Sequence, residues 1–249
     1  MLEDMMNRWK HSLSVSLTLT AAATLFLLSQ GGRALGKSTA DLVLGRLEAK
    51  IRAGFTNPEN PKSAEIKIIP YDNTALAGEG RLKAVVIRSA PAMIKKVPAE
   101  EIDMRADDVR IDVKKLLKDD DIVTISTART RLNAIISESN LDSLFARGRS
   151  TKDMKLKTKF DGGKVTISGT WKLFMFKGPI RTVGKLAVTA DNNLNYELES
   201  LKLNHAEAPA SLKKQFMQRL NPVVEFSDMP FKPKVQSIAF KGSKVYVST

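Results

Sequence analysis

The sequence predicts an α+β protein built on antiparallel β-sheet. Most of the chain after residue 61 alternates apolar and polar residues with a period of two, the mark of strands with one buried face. Turn chemistry punctuates those runs at Asp161-Gly162-Gly163, Asp191-Asn192-Asn193 and Lys241-Gly242-Ser243. After the leader, apolar residues recur at the three-to-four spacing of a helix face in only three places, so a few helices are set among strands.

The first stretch stands apart from that pattern. Leu13 to Leu28 carries no charge, follows Arg8 and Lys10, and precedes the small-residue run Ser29-Gln30-Gly31-Gly32-Arg33-Ala34-Leu35-Gly36. This is the three-part layout of a secretory signal. Ser14, Ser16, Thr18 and Thr20 dilute the apolar run, which falls short of the roughly 20 apolar residues that span a bilayer as a helix. Cleavage before Lys37 is therefore favoured over retention as an anchor, with Ala34 and Gly36 in the two small-residue positions. A buried core helix is the remaining alternative. Glu3 and Asp4 suit a basic leader poorly, so translation is expected to start at Met5 or Met6. Residues 1–36 are thus expected to be a signal peptide or N-terminal anchor, and 37–249 a single β-rich domain, a length that supports one core.

Within that domain, Val43, Leu47, Ile51 and Phe55 share one face of an amphipathic helix over 38–55, ended by Gly54, Asn57-Pro58 and Asn60-Pro61. Strands follow at 64–69 and 81–89. In the next, Ile102, Met104 and Ala106 lie on one face and Val109, Ile111 and Val113 continue on the other parity, which predicts a β-bulge at Asp107-Asp108 and a bent sheet. Residues 122–136 form another strand, and Ser137 or Ser139 caps a short helix with Leu141, Leu144 and Phe145, closed by Gly148. Met154, Leu156, Thr158 and Phe160 alternate with Lys155, Lys157 and Lys159, and the chain turns at Gly162-Gly163 into Val165, Ile167, Gly169, Trp171 and Leu173. Phe174-Met175-Phe176 interrupts the alternation before Ile180, Thr182, Gly184, Leu186 and Val188. Leu194, Tyr196 and Leu198 run back, Pro209 opens a helix with Leu212, Phe216 and Leu220 on one side, and residues 234–247 close as a hairpin.

Composition removes several functional classes. There is no cysteine, so disulfides, Cys-ligated metals and thiol nucleophiles are excluded. His205 is the single histidine after the leader, and no Gly-x-Ser-x-Gly elbow, His-Glu-x-x-His pair or phosphate loop accompanies it. No enzyme is expected. Asp119-Asp120-Asp121 lacks the alternate-ligand spacing of a calcium loop and is expected to be a turn. The formal net charge of +13 draws the chain toward polyanions. The aromatics fall mostly at core-like positions instead of between exposed basic residues, which favours an anionic membrane surface over nucleic acid.

The strand Ile102-Asp103-Met104-Arg105-Ala106-Asp107-Asp108-Val109-Arg110-Ile111, the capped helix 137–145, the turn-and-strand Gly163-Lys164-Val165-Thr166-Ile167-Ser168-Gly169, and the ending Met229-Pro230-Phe231 followed by Val235 to Val247 occur in this order. In that order they resemble the LmeA-like phospholipid-binding family of bacterial envelope proteins, over roughly Ala64 to the C-terminus. Phe231-Lys232-Pro233 replaces the family's usual small residues there, and the run Lys155, Lys157, Lys159 is heavier in charge than the family pattern. The resemblance implies an elongated, curved, largely antiparallel sheet wrapped against the N-terminal helix and two shorter ones, similar to tubular lipid-binding domains. It also implies an apolar interior that accepts acyl chains, with no cofactor beyond a bound phospholipid.

The interior candidates are Trp171, Leu173, Phe174, Phe176, Leu186, Val188, Phe216 and Leu220, each of which also fits an ordinary closed core. Lys155, Lys157 and Lys159 fit either anionic headgroups at a membrane surface or a solvated strand face. The function expected is phospholipid binding or transfer at the envelope by an exported protein, periplasmic or anchored to the inner membrane. The alternative is a periplasmic accessory protein with a closed core that supports a partner in envelope biosynthesis.

Overall fold

Helix α1 (Thr39–Phe55) starts where a capping box dictates. The Ser38 hydroxyl accepts from the Asp41 N–H at 3.2 Å while the Asp41 carboxylate accepts from the Ser38 N–H at 3.1 Å, which satisfies donors that a helix start otherwise leaves orphaned. Ala40, Val43, Leu47, Ile51 and Phe55 are buried along one stripe. The computed structural model describes residues 38–56, 60, 62–173 and 176–249, with only the backbone described at 172, 173, 176 and 177. The expected signal or anchor at 1–36, the boundary at Lys37, the breaker Asn57-Pro58 and Phe174 lie outside the described residues.

Downstream run β1 (Ala64–Pro70), α2 (Asn73–Glu79), β2 (Arg81–Ser89), β3 (Ala92–Ile94), β4 (Val97–Ala99), β5 (Glu101–Ile111), α3 (Val113–Asp119), β6 (Thr124–Ser137) and α4 (Glu138–Arg147). A 3-10 turn at Lys152–Met154 then leads to β7 (Lys157–Asp161), β8 (Lys164–Leu173), β9 (Phe176–Val188), β10 (Asn193–Leu203), β11 (Ala206–Glu207), α5 (Ala210–Leu220), β12 (Val224–Glu225), β13 (Ser237–Lys241) and β14 (Lys244–Ser248). The fold is α+β with antiparallel sheets, including a curled half-barrel. Among the described residues, β3 and β4 form a separate two-stranded sheet, and the other strands divide between two large sheets. The first is ordered β1-β2-β5-β6-β14-β13 and the second β11-β10-β9-β8-β7, with β12 beside β10. Helix α1 packs on β1, α2 and α3.

All three expected helices are present, and two short ones join them. Helix α2 is capped by the Asp72 carboxylate, 2.7 Å from the Ala75 N, and α3 by that of Asp112, 2.9 Å from the Lys115 N. Each ends in a left-handed residue, Gly80 at φ 67° and Asp120 at φ 53°. Val113 therefore begins a helix and does not extend the strand before it. The parity slip at Asp107-Asp108 is real: Ile102, Met104 and Ala106 are buried, then Val109 and Ile111, with Asp108 at φ 49° between them. The ladder is interrupted there on both sides of β5, since the pairs Ala84↔Asp107 and Leu82↔Val109 flank a gap, as do Asp107↔Arg129 and Val109↔Thr127. The register is the same on either side of the gap, so no residue is inserted and the β-bulge expected at Asp107-Asp108 is absent; the shift in the β5–β6 pairing lies instead between Arg110 and Ile111.

The lysine run is not one strand. Lys155 takes φ 49° after the 3-10 turn, and β7 begins only at Lys157. The β7–β8 hairpin itself is as expected, with Gly162 and Gly163 both at positive φ in a two-residue turn. Helix α4 covers the open edge of β7: the Thr158 N–H donates to Asp142 at 2.7 Å and the Phe160 N–H to Glu138 at 2.8 Å. An exposed strand edge is a template for unwanted pairing, and these two carboxylates occupy it. Lys157 and Lys159 then bridge to the same carboxylates, each at 3.1 Å. The rings of Phe160 on β7 and Phe240 on β13 meet edge-on at 5.4 Å, a second tie between the two sheets.

This hierarchy gives a stability prediction. Glu138→Ala with Asp142→Ala orphans two backbone N–H groups and is expected to cost about 2 to 5 kcal/mol. Lys157→Ala with Lys159→Ala removes only exposed ion pairs and is expected to cost under about 2 kcal/mol in total. Urea unfolding of both double variants checks the ordering.

Candidate functional site

Helix α5 lies against the second sheet through Phe216 and Leu220, which are 0% and 5% exposed. Its C-terminal residue Asn221 brackets β10: the side chain accepts from the Tyr196 N–H at 2.8 Å and donates to the Tyr196 carbonyl at 3.0 Å. Beneath the helix, the ring of Trp171 on β8 meets that of Phe216 at 5.7 Å, and the Arg219 guanidinium stacks over the same indole at 5.9 Å. Trp171 is 1% exposed, and its indole N–H has no hydrogen-bond acceptor among the described residues.

Of the expected interior residues, Trp171, Leu186, Phe216 and Leu220 are buried in one continuous core, with Val188 packed half-buried against it. Leu173 and Phe176 are paired across the β8–β9 ladder, and their side chains lie outside the described residues, as does Phe174 altogether. The described apolar residues thus belong to one core, and the Trp171–Phe216 contact lies between α5 and the sheet.

Gly184 faces the Tyr196 ring so tightly that a β-carbon there would stand 2.7 Å from Cζ. Tyr196 OH donates to the Val165 carbonyl at 3.1 Å and shares a 2.8 Å hydrogen bond with Thr182. Burial pushes its pKa up to about 12, against the opposing pull of the Thr182 hydrogen bond.

At one end of this helix-on-sheet layer a cleft of about 890 Å³ opens. Its walls come from the loop between α4 and β7, with Arg149, Ser150, Lys152, Asp153 and Lys155, and from Thr170, Trp171 and Arg219. Lys155 is the one member of the expected headgroup trio that reaches it. Lys157 and Lys159 do not line it and are held by the α4 carboxylates. Sequence reasoning missed Arg149, Lys152 and Arg219. The first two follow a helix end without periodicity, and Arg219 reads as the polar side of α5. For Arg149 and Lys152, closeness in sequence to Lys155 was the available signal.

The other expectations resolve simply. His205 is exposed at φ 70° in the turn between β10 and β11. Asp119 and Asp120 end α3, where Asp120 pairs with Lys50 at 2.6 Å. Among the described residues no cluster of His, Asp or Glu could hold a metal, and no helix is long and apolar enough to cross a membrane.

The family model described as LmeA-like phospholipid-binding matches residues 39–249. No curated protein and no solved structure matches the chain.

Two outcomes follow from the packing. Phe216→Ala is expected to cost about 3 to 5 kcal/mol, because the truncated ring leaves a cavity over Trp171; thermal unfolding measures it. The raised pKa of Tyr196 means folding favours its protonated form. That contribution is complete below pH 10 and disappears as pH rises toward about 12, a loss of about 2 to 3 kcal/mol. Stability measured across this window should fall less steeply in Tyr196→Phe.

Proposed function

Because the chain belongs to the LmeA-like phospholipid-binding family, we propose that it binds or transfers phospholipid at the bacterial cell envelope without catalysing a reaction. The observation that carries this reading is the match itself, which runs from the first turn of α1 to the last residue of the chain. The layer of α5 on the second sheet supports it. It is apolar inside, tied by the Trp171–Phe216 rings, the Asn221 bracket, the Arg219 stack and the Lys213–Glu207 ion pair, and it opens at a cleft whose size lies within the ~300–1,000 Å³ range of small-molecule sites.

In this reading the acyl chains enter between α5 and strands β8 to β10. They replace the contacts that Phe216, Leu220, Leu186, Val188 and Trp171 make with one another. Leu173, Phe174 and Phe176 follow Trp171 closely in sequence and belong to the proposed apolar site on that ground alone, since their side chains lie outside the described residues. The exchange is close to balanced in free energy, because each apolar area uncovered by the helix is covered again by hydrocarbon at ~25 cal/mol per Å². Lys155 meets the headgroup or the membrane surface, with Lys157 and Lys159 on the adjoining strand face.

Export rests on the uncharged run Leu13–Leu28 and its flanks, which direct the chain to the periplasm or hold it at the inner membrane. The +13 charge adds attraction to the anionic leaflet. A second reading draws on a specific observation: Trp171, Leu186, Phe216 and Leu220 already form part of a filled core. A closed domain of that kind would serve as an accessory to an envelope-biosynthesis protein.

The two readings separate cleanly in one experiment. The full chain is produced in a bacterial host, purified without detergent and weighed by native mass spectrometry, followed by lipid extraction. Phospholipid near one per protein, lost in a folded Leu220→Glu variant, is the expected result. Folded protein that emerges lipid-free and stays so after incubation with vesicles contradicts lipid holding and leaves the accessory role.

A further inference from the structure

Two clefts gather positive charge, one lined by Arg129, Arg131, Lys232 and Lys234 and the other beside Trp171, and the second differs in lying at the end of the apolar layer under α5. Arg149, Lys152, Lys155 and Arg219 converge on it, and none of the four is in a salt bridge among the described residues. Some lysines elsewhere are paired: Lys115 with Asp119, Lys164 with Glu199, Lys185 with Glu197. Among the described residues, Asp153 is the only carboxylate lining the cleft.

Four cations around one cavity repel each other, and contacts of Thr151 and Arg219 anchor the segments that carry them. The loop that carries three of them is pinned by the buried Thr151 hydroxyl, which donates to the Phe145 carbonyl at 2.6 Å. Arg219 is fixed by its stack on Trp171 and by a 3.4 Å hydrogen bond to the Ser150 carbonyl. The floor adds a second observation that points to a ligand. The buried Trp171 indole N–H lacks an acceptor among the described residues, on a side chain that also lines the cleft, and an unmade bond of that kind is a free-energy cost that a ligand's acceptor would relieve.

We propose that this cleft is a phosphate-binding site, which takes the phosphate group of an anionic phospholipid or of a soluble phosphate ester. Arg149 and Arg219 provide forked donors suited to phosphate oxygens, Lys152 and Lys155 provide point charges, and the indole provides one neutral donor. The lipid source rests on the function proposed above. The phosphate chemistry does not.

The test compares the full chain with Arg149→Gln/Lys152→Gln/Lys155→Gln, three exposed positions, and with a control of equal charge change, Lys115→Gln/Lys164→Gln/Lys185→Gln. Each is checked for folding by circular dichroism. Binding is read with vesicles of phosphatidylglycerol in phosphatidylcholine against phosphatidylcholine alone, and with inorganic phosphate by phosphorus NMR line broadening. At ~1 kcal/mol for each basic residue near an anionic surface, the cleft variant should lose about 100-fold in affinity for phosphatidylglycerol vesicles and the control about 5-fold or less. Trp171→Phe, which keeps a ring and removes the indole donor, should weaken phosphate binding as well.

Cleft-dependent binding of vesicles with no response to inorganic phosphate supports the site and assigns it to a lipid headgroup. Cleft-dependent binding of inorganic phosphate without vesicle preference supports the site and assigns it to a soluble phosphate. Equal losses in the two triple variants, or no loss in either, overturn it. A lipid-free protein that still binds phosphate through the cleft refutes lipid holding and keeps the site. A cleft variant that retains its phospholipid and its vesicle affinity does the reverse.

Discussion

Two carboxylates on α4 hold the edge of β7, and much of the architecture hangs on that contact. Helix α4 continues straight from β6 of the first sheet, since Ser137 is both the last residue of the strand and the N-cap of the helix. Asp142 and Glu138 accept from backbone N–H groups of β7 in the second sheet. The helix therefore joins the sheets and covers an edge that would otherwise pair with another chain. The segment 148–156 is fastened at both ends by this contact, because it leaves α4 and enters β7. Arg149, Lys152 and Lys155 owe their convergence to it.

On the far side of the same segment, Trp171 and Phe216 join sheet to helix. Their contact fixes the depth at which α5 sits, and Arg219, one turn after Phe216, reaches over the indole. The apolar layer and the charged cleft are thus continuous: the floor of one is the end of the other. A molecule with a charged head and apolar tails matches that continuity in a way that neither a soluble anion nor a plain hydrocarbon does.

Which parts of this were legible in the sequence depends on the range of the signal. Local patterns were readable: the helix stripe from Val43 to Phe55, the Ser137 cap, the Gly162-Gly163 turn and the parity slip at Asp107-Asp108 all state their geometry within a few residues. The short helices α2 and α3 went unread because seven residues carry little periodicity, although Asp72 and Asp112 are caps of the usual kind. The division of strands between two sheets depends on pairings such as β14 with β6, more than a hundred residues apart, and no local pattern encodes those. The lysine run shows the same limit. Alternation placed Lys155, Lys157 and Lys159 on one face, but a left-handed turn at Lys155 sends it to the cleft, while Lys157 and Lys159 stay with α4. The grouping of Arg219 with Arg149 is tertiary and had no sequence signature.

The central claim is that a phospholipid occupies the layer between α5 and the second sheet. It is tested most directly by photo-crosslinking with a phospholipid that bears a photoreactive group at the end of one acyl chain, followed by peptide mapping. The account predicts adducts on α5 and on β8 to β10, suppressed by unlabelled phospholipid. Adducts confined to the outer surface of the first sheet, or none above the level of an unrelated folded protein, would contradict it.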